Sequence, residues 1–375
     1  MSSNAGPDIV QDGLVFKYDT GDGKSFKGEP TTNLITSNGI DFSQMSTYGT
    51  LIRSRVSDSN SPSGYACEME YPNSSLNSAS RIRFGDSTNI PASGNAFVSI
   101  MAKFEGGPSS NIYPRIYSGN SWQTLAPLDG GLTYLTSEYR RFGVNAYLGT
   151  GSGGPLPAFS MTQSNSNNQA GQKTRWHSPQ VELKSHATPF VNGTRSATQG
   201  LLDRAGNLTI DLSNVSFDSN AQMTFDGTDD YLDCGDIGIS SSKVTFAAWV
   251  KPSSGSIRHI IDASGNACHL AILANKPYFW NGATYHTDAD VITNGVWYYL
   301  TGVQSDTNDI YINGVLSSSK ASNRTISVSN VNIGRWQNGN TRYFNGDVAV
   351  AQIYNRALTA KEVLQNYQAT RSRFS

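Results

Sequence analysis

The stretch FDGTDDYLD places four carboxylates close together: Asp226, Asp229, Asp230 and Asp233. Hard cations such as calcium collect several oxygens, and acids packed this closely are a natural source of them. Asp226, Asp229 and Asp230 are the candidate calcium ligands, with Asp347 of FNGDVAV approaching from a later strand. The competing reading is a turn in which Asp226-Gly227 reverses the chain and the other acids face water. A second acidic pair, Glu68 and Glu70 in CEMEYP, shares one face of a strand because side chains alternate. A retaining glycosidase needs two carboxylates about 5–5.5 Å apart, and nothing in this sequence makes the two environments differ. An exposed charged face is the simpler reading. No Gly-x-Ser-x-Gly, His-Glu-x-x-His or phosphate-cradling loop occurs, and the five histidines show no metal-ligand spacing. The expectation is a protein that is not an enzyme.

Sugar binding asks for other chemistry: flat aromatic rings against the apolar face of a pyranose, and planar polar side chains for its hydroxyls. FWNGATYH reads as a hairpin around Asn281-Gly282 that presents Trp280 and Tyr285. RWQNGNTRY reads as a polar loop with Trp336 at its root and Arg342 near its end. Tyr113, Tyr117 and Trp122 lie in a Gly-, Ser- and Pro-rich segment suited to exposure. These seven residues are the candidate carbohydrate-binding set. Trp176, Trp249 and Trp297 sit in dense strand patterns and read as core.

The elements that must position these groups are strands. Thirty-six glycines and 18 tyrosines with only 15% charged residues describe a turn-rich β protein, where a helical bundle would need more Leu, Glu and Lys. Short β-type runs span 244–250, 269–273, 296–304, 310–316, 331–336 and 347–354, and others lie at 66–71, 81–85, 96–104 and 139–148. Asn313-Gly314 between alternating apolar residues is a strong hairpin signal. Strands at this spacing without intervening helices argue antiparallel sandwiches. One helix closes the chain: Thr359 and Glu362 form a capping box, and Val363, Leu364 and Tyr367 form its packing face. Cys67, Cys234 and Cys268 read as buried thiols. A net charge of −1 without a basic block argues against nucleic acid. The N-terminus lacks the pattern of a signal peptide, and no run is long enough for a membrane span.

FDGTDDYLDCGD followed by VTFAAWVKP resembles the start of a laminin-G-like, concanavalin A-type jelly roll. FNGDVAVAQIYNRALTAKEVLQNYQATRSRF resembles the last strand and trailing helix of that domain in phage virion proteins, whose opening strand is matched here by DGLVFKYDTGD. The intervening block resembles small carbohydrate-binding-module-like β-sandwiches. It opens on TTNLITSNGIDFSQM and closes on WHSPQVELKSHATPFVNGTR. The resemblance implies an all-β chain of two antiparallel β-sandwich (jelly-roll) domains, one inserted into the other. Residues 1–11 would be an arm that docks on a partner's sheet edge, 12–30 plus 197–375 the outer sandwich, and 31–196 the insert. The glucanases of this class carry Glu-x-Asp-x-x-Glu on one strand, a motif that CEMEYP does not match.

The function so implied is that of a phage virion structural protein, a capsid decoration or a tail or fibre appendage, that binds host surface polysaccharide weakly and multivalently. It would assemble in the host cytoplasm and reside in the virion. Its partners would be other virion proteins and further copies of itself, with a trimer as one form, and calcium its one candidate cofactor. A cement protein with no glycan binding is the alternative, and a polysaccharide depolymerase the weakest reading.

Overall fold

The computed structural model describes residues 7–374 except 72–79, 87, 108–111, 150–155, 164–170, 207, 254–256, 264–266, 283–284, 289, 323 and 340. The polar runs expected as exposed loops fall largely within 150–155 and 164–170, outside the described residues. Among the described residues the regular structure is nearly all β, with one longer helix, Ala360–Thr370, near the end of the chain. It divides into two compact units, Met1–Pro30 with Ser196–Ser375, and Thr31–Arg195.

The discontinuous unit is a two-sheet antiparallel sandwich. Its eight-stranded sheet runs in the order Ser216–Phe217, Met223–Asp226, Asn345–Tyr354, Val244–Pro252, Tyr298–Gln304, Thr307–Ile312, Val315–Ala321, and Leu14–Asp19 also pairs with Asn345–Tyr354. The opposing sheet orders Leu232–Ser241, Ile326–Ile333, Ile257–Ala263, Cys268–Leu273, Lys276–Trp280 and Tyr285–Thr287. The run VTFAAWVKP does not alternate because both of its faces are covered. Phe246, Ala248 and Val250 enter the core between the sheets with Phe16, Ile261, Leu270 and Phe279, while Ala247 and Trp249 meet a second cluster with Tyr299, Tyr367 and Phe374. Burying each large apolar side chain contributes about 1.5–3 kcal/mol. The Asn313-Gly314 signal is realised as a hairpin, both residues at positive φ (52° and 82°), which matches the twist of the flanking strands.

The helix begins as its capping box predicts. Thr359 Oγ1 accepts from the Glu362 amide at 3.3 Å, and the Thr359 amide donates to Glu362 Oε2 at 2.8 Å. Its packing face differs from the expected one: Val363 is buried and Tyr367 half-buried, but Leu364 is exposed and Asn366 takes the inner position. Asn366 has a polar task there. Its Oδ1 accepts from the Val10 amide at 2.8 Å and its Nδ2 donates to the Tyr354 hydroxyl at 2.9 Å. The described part of the 1–11 segment, expected to dock on a partner's sheet edge, thus bonds to its own unit through Val10. Residues 1–6 lie outside the described residues, but Val10 is buried within its own unit beside Tyr354, Leu358 and Val363.

Glu362 also receives two bonds from the Arg356 guanidinium, at 2.7 and 3.0 Å, and these hold its carboxyl down at about 2. A carboxyl depressed below its unfolded value of about 4.3 adds stability above that pH, lost as pH falls towards the folded value. Acidification from pH 5 to pH 2 is therefore expected to loosen this helix. Amide exchange over 360–370 at the two pH values reads it, and equal protection would show that the Arg356 pair holds nothing.

The Thr31–Arg195 unit is a second antiparallel sandwich. Six strands, ordered Ala126–Pro127, Arg140–Leu148, Gly94–Gly106, Lys173–Glu182, Tyr65–Glu70, Ile52–Ser57, face five, ordered Met45–Tyr48, Arg81–Phe84, Ala158–Gln163, Ile112–Ser118, Ser121–Thr124. Phe84, Phe159, Ile100, Phe142 and fully buried Trp176 fill the space between them. The opening and closing phrases are locked to each other. Asn33 Oδ1 accepts from the Val181 amide at 3.1 Å and its Nδ2 donates to Pro179 O at 2.9 Å. Buried Glu182 accepts from Thr31 Oγ1 at 2.9 Å and from Thr188 N and Oγ1 at 2.9 and 2.7 Å. Thr31–Thr32 then pairs with Thr194–Arg195, so this unit's two ends close on each other. Cys67, Cys234 and Cys268 are all buried. Among the described residues no helix is long and apolar enough to cross a membrane.

Candidate functional site

A cleft of about 350 Å³ opens in the discontinuous unit. Thr20 and Gly21 follow the opening strand, Asp218, Gln222 and Met223 come from one hairpin, and Asp347, Val348 and Ala349 from the last long strand; Trp297, Arg373 and Phe374 complete it. Phe374 stacks on Trp249 with ring centroids 4.3 Å apart and meets Trp297 at 4.8 Å. Arg373 Nη1 donates to Asp19 Oδ2 at 2.7 Å, and a Cβ on Gly21 would collide with that guanidinium. Burial pushes the Asp347 carboxyl above the usual carboxylate range; Lys251, its cross-strand partner, pulls the other way and the Asp218 charge adds to the rise. An aromatic ring beside two carboxylates, an amide and a guanidinium offers a sugar both a stacking face and partners for hydroxyls. The sequence pointed elsewhere. Trp297, read as core, is half-buried, whereas Trp176 and Trp249 are buried.

The seven candidate carbohydrate-binding residues fall on two faces. In the discontinuous unit Trp280 lies directly across the ladder from His269, rings nearly parallel at 6.1 Å. Trp336 closes its loop through Thr341 and lies 6.2 Å from the His259 ring, with the exposed Arg342 guanidinium 4.1 Å over its own centroid. Trp280, Trp336 and Arg342 therefore gather around one histidine pair. Tyr285 lies on the strand paired with Trp280, and its side chain is outside those described. In the other unit the strand Ile112–Ser118 alternates, with Tyr113, Arg115 and Tyr117 on the face away from the core. Tyr117 meets Trp122 at 5.1 Å, Arg115 lies 3.9 Å over Trp122, and Arg81 lies 4.3 Å over Tyr117. Tyr113 meets Tyr134 edge-on at 6.4 Å.

The four candidate calcium ligands do not form one site. Ligand atoms of Asp226, Asp229 and Asp230 lie within 4.8 Å of one another, but Asp347 is outside that group and lines the cleft. The trio already serves the turn. Asp226 Oδ1 accepts from the Thr228 and Asp229 amides, and buried Asp230 accepts from the Ser216 amide, the Ser216 hydroxyl and the Asp226 amide. Gly227 turns the chain at φ 82°. This fits calcium poorly, because the ion wants its own shell of oxygens. Glu68 and Glu70 are engaged too: Arg175 reaches Glu68 at 3.1 Å and Lys173 reaches Glu70 at 3.2 Å.

Residues 226–364 match the family model of the concanavalin A-like lectin/glucanases superfamily. The match covers well under half of the chain. It includes Trp297 and Asp347 of the cleft, and Trp280, Trp336 and Arg342 of the histidine face. Similar solved structures include a SAP-like pentraxin from Limulus polyphemus, at 17% identity over 41% of this chain and 82% of that one, TM-score 0.34. Domain 4 of AbnA, a GH43 extracellular arabinanase from Geobacillus stearothermophilus in complex with arabinotriose, is 16% identical over 46% of this chain and 93% of that one, TM-score 0.37. A botulinum neurotoxin serotype D ligand-binding domain in complex with N-acetylneuraminic acid is 14% identical over 47% of this chain, TM-score 0.37, and the match spans only 50% of that structure. No curated protein matches the chain.

Proposed function

We propose that the concanavalin A-like unit binds carbohydrate in the cleft beside Trp297 and leaves the sugar intact. The observation that carries this reading is the convergence of a half-buried tryptophan with Asp218, Asp347, Gln222 and Arg373 around one sugar-sized space. The superfamily match over 226–364, which takes in Trp297 and Asp347 of the cleft, supports it. The setting we propose is a phage particle, following the resemblance of the closing strand and helix. Many copies on one particle would convert a weak single-site affinity into firm attachment to host polysaccharide.

The test is binding of the purified chain to polysaccharides extracted from bacterial envelopes, with assay of new reducing ends in the same samples. Saturable binding, weakened at least tenfold by Trp297→Ala and accompanied by no new ends, is the expected result. Loss on Trp122→Ala with Trp297→Ala silent would move the site to the other unit, and new reducing ends would make the protein a depolymerase. The cement reading has its own observation: Val315 and Leu316 on the edge strand are exposed beside Val291, an open sheet edge suited to a neighbouring subunit. No retained glycan, together with tight uptake by particles lacking the protein, would favour it.

A further inference from the structure

We propose that His259, Asp262 and His269 form a binding site for a divalent transition-metal ion of the zinc class. The sequence reading found no histidine cluster, and the fold corrects it. His259 and Asp262 lie on the strand Ile257–Ala263, and His269 is the direct cross-strand partner of Asp262. A register shift between His259 and Ile261 turns both Ile260 and Ile261 to the core, which leaves His259 and Asp262 on the opposite face together. One ligand atom of each residue lies within 4.8 Å of the others, and all three side chains are buried, at 0%, 0% and 3% exposure.

These buried atoms lack ordinary partners. Both nitrogens of His259, both of His269, and Asp262 Oδ1 have no hydrogen bond among the described residues. Buried polar atoms normally find a partner. The two Nδ1 atoms stand 3.6 and 3.5 Å from Asp262 Oδ1, longer than the 2.7–3.2 Å of an N–H···O bond. They match the edge of a tetrahedron, about 3.3–3.4 Å, drawn around zinc with bonds of ~2.0–2.1 Å. The outer contacts are those of a metal centre as well. The Gln337 amide donates to Asp262 Oδ2 at 3.1 Å, which leaves Oδ1 to face the imidazoles.

Two nitrogens and one carboxylate suit zinc, cobalt or nickel and not calcium, which takes a shell of oxygens. Arg342 opposes a cation, but its guanidinium is exposed and lies over Trp336. The ion would cross-link the two strands of the hairpin and, through Gln337, anchor the loop that carries Trp336.

The whole chain, stripped with chelator, is titrated with cobalt(II) as a visible-absorbing probe and then with zinc(II). Saturation at one equivalent with a ligand-field band that zinc displaces is expected, with affinity at least tenfold weaker in His269→Gln and Asp262→Asn. An Asp226→Asn, Asp229→Asn double variant should bind as the parent does. Because buried variants can fail to fold, imidazole nitrogen resonances of the unaltered chain give a second readout. Zinc should shift those of His259 and His269 and leave His177, His186 and His286 in place. Absence of a one-equivalent band, or shifts confined to His186, overturns the site. Neither arm uses a glycan, so failure here leaves the sugar-binding reading untouched.

Discussion

Replacing Trp249 with alanine lowers the stability of the discontinuous unit by about 3–5 kcal/mol, the range for removing a buried large aromatic side chain. The side chain is 3% exposed and sits under the C-terminal helix. It stacks on Phe374 at 4.3 Å and on Tyr367 at 5.7 Å, lies 5.5 Å from Tyr299, and its Nε1 donates to Thr370 Oγ1 at 2.7 Å. Alanine therefore leaves a void under the helix and removes the bond that Thr370 Oγ1 accepts, its own donation to Asn366 O at 3.0 Å remaining. Trp249→Phe keeps a ring and loses the N–H, so its cost should fall to roughly 1–2 kcal/mol. Phe374 and Arg373 wall the cleft, and the alanine variant should lose ligand affinity along with stability. Denaturant midpoints of the three proteins decide this. An unchanged midpoint in Trp249→Ala would show that the helix is held by other contacts.

Asp347→Asn should separate binding from stability. Burial and the Asp218 charge raise this carboxyl above its unfolded value of about 3.9, so the fold penalises the charged form. That penalty is present at neutral pH and is relieved as pH falls into the range where the group protonates. The asparagine variant carries none of it, so its melting temperature should exceed the parent's at pH 7, the gap closing near pH 4. Lys251 loses an attractive partner in the variant, which makes the gain smaller than burial alone would give. Glycan affinity should fall at least tenfold, because an amide replaces a charged hydroxyl acceptor. Binding sites commonly hold groups that the fold alone would not keep. A lower melting temperature at pH 7 would show the Lys251 attraction dominating, and unchanged affinity would remove Asp347 from the site.

The strand-rich class was legible because its signals are local. VTFAAWVKP is continuously apolar since both faces are covered, Asn313-Gly314 can adopt positive φ in sequence, and Thr359 and Glu362 meet within one helical turn. Leu364 was misplaced because periodicity ranks residues by apolarity, and Asn366 won the inner position through bonds to Val10 and Tyr354, far away in sequence. The sequence leaves open whether Asp347 approaches the acidic turn from the last strand. The last strand sets Asn345 opposite Asp226, and the Asp347 side chain faces the cleft.

What the sequence determined by itself was therefore what neighbours along the chain decide: strand content, turns, the helix cap, and a resemblance to the concanavalin A-like superfamily over 226–364. What only the tertiary structure decided was which side chains converge. His259 and His269 meet because one register shift moves a single residue across the sheet, and Trp297 meets Asp218, Asp347 and Arg373 because four separate segments end at one cleft. No spacing rule encodes either meeting. Side-chain facing in a sheet changes with each single-residue slip, so convergence is fixed by pairing register, and register is a property of the folded sheet.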